Sequence, residues 1–195
     1  MILFVNACVR IDSRTNRIAA QVLEMLDGDI KEVKLSDIRF TDTSEDFLRK
    51  RDGYIASKDY SDPYFDLAKQ FANAQIIVIA APYWDLSFPA VLKQYIEHIN
   101  VRGVTFEYSS EGIPIGLCKA KKLYYVMTAG GSYVPEEFGF GYIKALAQNF
   151  YGIKDVELIK ATGLDIQGND AEGIVEKCIS RFRRKECRNN LPIDF

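Results

Sequence analysis

Short apolar segments alternate along this chain with stretches of helical periodicity, and this alternation limits the folds that it can form. Residues 2–5, 76–81 and 123–127 are continuous apolar runs, which are typical of strands buried on both faces of a parallel sheet. Residues 30–35 alternate and predict an edge strand, and residues 156–160 predict a fifth strand. The pattern indicates an α/β fold, a three-layer sandwich whose parallel sheet has the order 2-1-3-4-5 and helices on both faces.

The segments between these strands predict helices. Ser13 is a suitable N-cap for the first helix, and Gly28 stands where its C-cap is expected. Further helices are predicted over 64–74, after Pro89, over 137–150 and over 170–185. Residues 36–62 lack a long period and predict a mobile excursion, whereas residues 104–108 predict an extra extended segment. At 195 residues, the chain 1–195 is expected to form a single domain.

Composition argues against several classes of partner and site. The 25 basic residues nearly balance the 27 acidic ones, so neither nucleic acid nor a membrane is expected as a partner. The apolar runs are too short for a transmembrane helix, and the start MILFVNA lacks the basic region of a signal peptide. The four cysteines form no CxxC pair and are expected to be reduced thiols of a cytoplasmic protein. His98 is the only histidine and is expected at the surface or an interface, so no metal site and no histidine-based triad is predicted.

Three loops follow strands whose carboxyl ends lie together in a doubly wound sheet. The first leads into a helix N-terminus, where Ser13, Arg14 and Thr15 offer hydroxyls and a guanidinium to an anion. The second, PYWDLSFP over 82–89, offers aromatic faces, backbone amides and one carboxylate, which suits a flat ring with polar edges. The third, TAGG over 128–131, has two glycines that allow a ligand to approach the backbone. Each loop alone also fits an ordinary cap or turn, but together they predict one binding site.

The first loop also narrows the type of ligand. Residues 1–27 contain no glycine, so the G-x-G-x-x-G dinucleotide fingerprint is absent, and the chain has no P-loop pattern. A terminal monophosphate therefore fits this loop better than a bridged pyrophosphate.

A competing hypothesis is a low-molecular-weight cysteine phosphatase. Cys8 and Arg14 form a C-x5-R pattern after the first strand, and Asp62-Pro63 resembles the general-acid motif of that class. Against it, a loop without glycine would be strained as a phosphate cradle, and Asp12 would place a carboxylate inside it. The Asp-Pro pair also precedes the third strand, whereas the phosphatase acid follows the fourth.

Three segments carry a resemblance to a known family: IIVIAAPYWDLSFPAVLKQYI, RGVTFEY and KKLYYVMTAGG. In this order and spacing the chain resembles the FMN-dependent NADH-azoreductases, within the flavodoxin-like NAD(P)H quinone oxidoreductases. The resemblance covers most of the chain, and RGVTFEY is its most specific part because generic flavodoxins lack it. It implies bound FMN, a homodimer and active sites at the subunit interface.

The resemblance also implies roles for individual residues. The chain departs from the family pattern at Cys8, where serine is typical, and at Ala129, where arginine occurs in some members. Tyr133, together with the aromatic residues of the second loop, is expected to wall the substrate slot. The residues implied to bind FMN are Cys8, Ser13, Arg14 and Thr15 at the phosphate, Tyr83, Trp84, Asp85 and Leu86 along the isoalloxazine, and Thr128, Ala129, Gly130 and Gly131 at its polar edge.

The activity implied is a two-step hydride transfer. NADH or NADPH is expected to reduce FMN and leave before a quinone, azo compound or similar small-molecule acceptor takes its place. No side chain needs to act as acid or base, which suits a chain with one histidine. The alternative is a flavodoxin-type electron carrier, against which stand the near-neutral charge and the added RGVTFEY segment.

Overall fold

The computed structural model describes residues 1–189 and has a five-stranded parallel sheet at its centre. The order of strands in this sheet is the predicted one, 2-1-3-4-5 by position, so that prediction is confirmed. In chain order the strands are β1 (Ile2–Asn6), β2 (Ile30–Lys34), β3 (Ile76–Ala80), β4 (Phe106–Tyr108), β5 (Pro114–Gly116), β6 (Lys122–Thr128) and β7 (Asp155–Ala161), and the sheet order is β2-β1-β3-β6-β7.

Helices cover both faces of the sheet, as predicted. One face packs on the first and last helices, and the opposite face packs on the helices between them. A π-helical turn over Ala147–Tyr151 continues the fifth helix. The helices are α1 (Arg14–Leu23), α2 (Glu45–Ser57), α3 (Asp66–Asn73), α4 (Ala90–Ile99), α5 (Phe140–Leu146) and α6 (Ala171–Asn189).

Alternate residues of each central strand enter two separate cores. Leu3 and Ile77 point toward α3 and α4, while Phe4 and Val78 point toward α1 and α6. These strands are apolar at both parities because each face of a doubly covered sheet is buried. This explains why their sequences read as continuous apolar runs, and it leaves the carboxyl ends of the strands free to form loops.

β4 and β5 form an antiparallel hairpin outside the main sheet. The predicted extended segment at 104–108 is confirmed at β4, but its partner β5 was not predicted, since three residues of Pro-Ile-Gly carry no strand pattern. The hairpin packs on the turn after α5 through Gly116. A Cβ at that position would lie 2.2 Å from both the carbonyl carbon of Tyr151 and the nitrogen of Gly152, so the backbones meet there only because residue 116 is glycine.

The first helix ends earlier than predicted, and the C-cap prediction at Gly28 is wrong. α1 stops at Leu23 with Glu24 as its C-cap. The next amides, of Met25 and Leu26, donate to carbonyls three residues back, so the chain tightens into 3-10 geometry and leaves the helix.

Residues 36–62 were expected to form a mobile excursion with no long period, but 13 of them form the helix α2. Ser44 caps this helix by accepting a hydrogen bond from the Phe47 amide, and Glu45 and Asp46 place carboxylates in its first turn. α2 has no fully buried residue, so its apolar face is too narrow to give a clear period. The capping residue Ser44 and the two carboxylates after it indicated this helix, and the prediction overlooked them.

His98 is buried within the subunit rather than at the surface, so that expectation is wrong. Its side chain is 8% exposed, and its Nδ1 lies 2.9 Å from the carbonyl of Gln94 one turn earlier in α4. The rings of Phe40 and Tyr64 cover it, with centroids 4.8 and 5.3 Å away. The segment around α2 therefore covers a face of α4 whose burial could not be predicted from the sequence alone.

None of the helices within residues 1–189 is long and apolar enough to cross a membrane.

Candidate functional site

A large cavity opens at the carboxyl ends of β1, β3 and β6, with a volume of about 1050 Å³. It lies beside the point where the strand order reverses between β1 and β3, which is where doubly wound sheets bind their ligands. The lining comprises Val9, Arg10, Ile11, Asp12, Ser13, Arg14, Thr15, Pro82, Tyr83, Trp84, Asp85, Thr128, Ala129, Gly130, Leu164 and Asp165.

The N-terminus of α1 forms one end of the cavity. Ser13 caps the helix, and its Oγ accepts the amide of Asn16 at 3.2 Å. Because a hydroxyl can accept and donate at once, Ser13 can also offer its proton to a ligand, in competition with the sulfur of Cys8. The amides of Arg14 and Thr15 belong to the first helical turn and have no acceptor within the helix. This end of the cavity therefore presents several donors to an anion.

A buried asparagine fixes the loop that leads into α1. Asn6, at the end of β1, accepts the Cys8 amide at 3.0 Å through Oδ1. Its Nδ2 donates to Asn16 Oδ1 at 3.2 Å and to Glu32 Oε1 at 2.8 Å. One side chain thus joins β1, the first loop, α1 and β2. Sequence analysis did not single out Asn6, although a polar residue at the end of a buried strand was a visible signal.

The second loop extends the ladder of β3 before it turns. The Tyr83 amide donates to Thr128 at 2.9 Å, and the Tyr83 hydroxyl donates to the Pro135 carbonyl at 3.1 Å. Trp84 and Ser87 then exchange both backbone hydrogen bonds around a two-residue tip. The tip residues Asp85 and Leu86 have φ values of 51° and 64°, a left-handed conformation that is unfavourable for leucine. Strained residues of this kind concentrate at functional sites.

The third loop is tied to α1 by its first side chain. Thr15 Oγ1 and Thr128 Oγ1 lie 2.6 Å apart, and Thr15 is almost fully buried. These two hydroxyls therefore join the first and third loops to each other, in addition to lining the cavity.

The structure brings most of the predicted site residues to one cavity. Ser13, Arg14, Thr15, Tyr83, Trp84, Asp85, Thr128, Ala129 and Gly130 line it. Leu86, Gly131 and Tyr133 do not line it, and Tyr133 is 81% exposed. Burial first, and then the electrostatic influence of Tyr133, raises the pKa of Tyr83.

Cys8 lies beneath the first loop, outside the cavity lining. Its side chain is 5% exposed, and its Sγ is 3.8 Å from the carbonyl of Ala80. Burial raises the pKa of the Cys8 thiol, the opposite of what a thiolate nucleophile requires. Asp62, the acid of the phosphatase hypothesis, caps the 3-10 turn at Pro63 and pairs with Lys50 at 3.6 Å. These positions argue against phosphatase chemistry.

Alkylation tests the state of Cys8. At pH 8 we expect Cys8 to react with iodoacetamide at least about tenfold more slowly than the exposed Cys187, because a buried, protonated thiol is a poor nucleophile. Peptide mass spectrometry over a time course measures both rates in one sample. Equal rates, or faster labelling of Cys8, would contradict the buried position.

A fourth loop, after β7, completes the cavity and was missed. The amides of Leu164 and Asp165 donate to Ala129 and Gly130 at 3.2 and 3.0 Å, which lays this loop against the third. Asp165 Oδ1 pairs with Arg14 Nη1 at 2.8 Å across the site. The signal was present, since GLDIQG begins three residues after the end of the predicted fifth strand, whose carboxyl end lies on the same sheet edge.

The sequence of this chain is similar to a known protein family and to several curated proteins. A family model described as Flavodoxin-like fold matches residues 1–185. A curated relative from Clostridium perfringens, named FMN-dependent NADH:quinone oxidoreductase, is 36% identical over 177 residues, covering 87% of this chain and 88% of the relative. A relative of the same name from Clostridium beijerinckii is 40% identical over 145 residues, covering 71% and 72%.

Solved structures show the same fold. An azoreductase from Bacillus anthracis superposes with a TM-score of 0.80 at 24% identity, covering 96% of this chain and 98% of the other. A Bacillus anthracis FMN-dependent NADH-azoreductase in complex with FMN gives a TM-score of 0.79 at 20% identity, covering 97% and 99%. At these identities the likeness concerns the fold alone.

Proposed function

Because this chain belongs to the Flavodoxin-like fold family, we propose that its cavity binds FMN and that the protein is an FMN-dependent NAD(P)H oxidoreductase. Its acceptors are quinones, azo compounds or similar small electrophiles. The relatives named FMN-dependent NADH:quinone oxidoreductase support this activity, and they do not favour the electron carrier or the phosphatase.

One observation carries the proposal: the two ends of the cavity match the two ends of FMN. Ser13, Arg14 and the α1 N-terminus offer a hydroxyl, a guanidinium and helix amides to a phosphate. Trp84 and Tyr83 offer aromatic faces at the other end, and Trp84 is 38% exposed. The volume of about 1050 Å³ accommodates a ligand of this size with room for a second ring.

When bound, FMN supplies the hydride chemistry, and the protein supplies position and electrostatics. The Tyr83 hydroxyl is held by Pro135, and the Trp84–Ser87 turn fixes the second loop, so the aromatic wall is set before a ligand enters. The same wall faces the nicotinamide and then the acceptor, and flat rings suit both. We propose the exposed Tyr133, whose charge influences Tyr83, as a contact for the acceptor.

Initial-rate kinetics test the shared slot. If NADH and a benzoquinone occupy the same place in turn, double-reciprocal plots at several fixed quinone concentrations will be parallel. Intersecting lines would mean that both substrates are bound together, which would contradict a single slot. Replacement of Tyr133 with alanine is then expected to raise KM for the quinone more than KM for NADH.

We also propose that the protein is a homodimer. Apolar side chains are exposed along the β4–β5 hairpin and at the cavity rim, and an exposed apolar patch of this kind marks an interaction surface. Those of the hairpin region are Tyr108, Ile113, Ile115 and Leu117, and those of the rim are Trp84, Leu86, Tyr133 and Phe138.

Light scattering after gel filtration tests this proposal. Wild type is expected at twice the mass of one chain, and Ile115→Glu is expected to shift the population toward monomer, because a charge in an apolar interface is costly. Ile30→Glu, at a similarly exposed position on the edge strand β2, is the matched control and should stay dimeric. A monomeric wild type would contradict the proposal.

For location, we propose the cytoplasm, where thiols stay reduced. All four cysteines are free in the structure, which supports this compartment. Cell fractionation that recovered the protein outside the cytoplasm would contradict it.

A further inference from the structure

Asp165 occupies a fixed position at the anion end of the cavity. Its backbone amide donates to Gly130 at 3.0 Å, and the Gly163 amide two residues earlier donates to Gly131 at 2.8 Å. These bonds tie the loop after β7 to the backbone of the third loop. The backbone of Asp165 is therefore held against the third loop, unlike that of a free surface loop.

The Asp165 carboxylate lies against Gly130. A Cβ on residue 130 would lie 2.4 Å from Asp165 Oδ2 and 3.2 Å from its Cβ. From the sequence, the glycines of the third loop were expected to allow close approach of a ligand. The structure gives Gly130 another role, because its missing side chain makes room for this carboxylate. Gly131 has no such role, since a Cβ at that position would have no atom within 4 Å.

From this position, Asp165 Oδ1 pairs with Nη1 of Arg14 at 2.8 Å. Both side chains are substantially exposed, and an exposed ion pair contributes little to folding. Its effect is on orientation. A guanidinium presents five N–H donors in a rigid fork, so a partner on Nη1 leaves other donors for a second anion.

We propose that Asp165 is a positioning residue that holds Arg14 ready for the phosphate of FMN, and that Gly130 is required to seat it. The inference rests on the proposed function. A long arginine side chain loses rotamer freedom when it binds a ligand, and ordering it in advance removes that cost from binding. Asp165 also repels a phosphate, but the guanidinium would lie between the two anions and the carboxylate faces solvent, where the repulsion is weak.

Fluorescence titrations of the protein with FMN and with riboflavin separate this role from ring binding, since riboflavin lacks the phosphate. In Asp165→Asn, the Kd for FMN is expected to rise about fivefold, the upper end of what an exposed ion pair contributes, while the Kd for riboflavin changes less than about twofold. Gly130→Ala should raise the Kd for FMN in the same way. Asp165→Asn in an Arg14→Gln background should add almost nothing, because coupled residues are non-additive.

Asp46→Asn is the matched control, because it removes an exposed aspartate that pairs with Arg49 on α2, outside the cavity. It should leave both flavin affinities unchanged. Circular dichroism of Asp165→Asn should match wild type, which excludes a folding effect.

Two results would overturn the inference, and they are distinguishable. If Asp165→Asn binds FMN as tightly as wild type or more tightly, while wild type still prefers FMN to riboflavin, then the positioning role is wrong and the phosphate site stands. If wild type itself shows no preference for FMN over riboflavin, then the phosphate placement fails and this inference fails with it.

Discussion

The Gly116→Ala variant is expected to lose about 3 kcal/mol of unfolding free energy, as overpacking against a rigid neighbour does. The added Cβ would lie 2.2 Å from backbone atoms of both Tyr151 and Gly152. No rotamer change relieves a contact with backbone, so the hairpin must separate from the turn after α5. Urea denaturation followed by circular dichroism measures the change.

Two glycine controls isolate the contact. Gly53 lies in α2 and Gly131 in the third loop, and at neither would a Cβ meet an atom within 4 Å. Gly53→Ala should stabilise by about 0.5–1 kcal/mol, since alanine favours a helix interior. Gly131→Ala should stay within about 0.5 kcal/mol of wild type. A Gly116→Ala variant as stable as Gly131→Ala would show that the hairpin is not packed as described.

Replacement of Asn6 with leucine is expected to cost about 2–3 kcal/mol of unfolding free energy and to weaken FMN binding. The buried Cys8 amide loses its acceptor, and Asn16 loses a donor. The loop that carries Ser13 and Arg14 is then no longer tied to β1. Chemical denaturation and the Kd for FMN measure the two effects.

Asn149 provides the matched control for Asn6. Its side chain is exposed and makes only a local hydrogen bond to the Ala145 carbonyl. Asn149→Ala should change stability by less than about 0.5 kcal/mol and leave FMN binding intact. If Asn6→Leu matched this control in both measurements, then the network beneath the first loop would have no role in holding the site.

The parts of the fold that depend on a regular pattern could be predicted from the sequence. β1, β3 and β6 are apolar at both parities because both faces of the sheet are covered, and the strand order follows from their alternation with helices. The rule that carboxyl ends of parallel strands gather also predicted the cavity. These features depend on periodicity and topology, which a single sequence contains.

The features that were missed depend on contacts between distant segments. Asp165 reaches Arg14 across 151 positions of sequence, and no local pattern marks that pair. His98 is buried because Phe40 and Tyr64 cover it, which follows only from how the α2 region packs. The role of Gly130 is of the same kind, since its neighbour comes from another strand end.

The family resemblance implied that Cys8 binds the FMN phosphate, but the structure buries its side chain. The residues predicted beside it, Ser13 and Arg14, line the cavity, while the Cys8 side chain lies beneath the loop against Ala80. The loop of seven residues between β1 and α1 allows its side chains to point to either side. Spacing alone therefore identified the loop without giving the orientation of each member.

The most direct test of the account is a visible absorption spectrum of the protein loaded with FMN and desalted, recorded under nitrogen before and after NADH is added. We expect a flavin band that survives desalting and bleaches with NADH, and that returns when a quinone is added. Loss of all flavin on desalting would contradict the FMN site, and a retained band that NADH leaves unbleached would contradict the oxidoreductase activity.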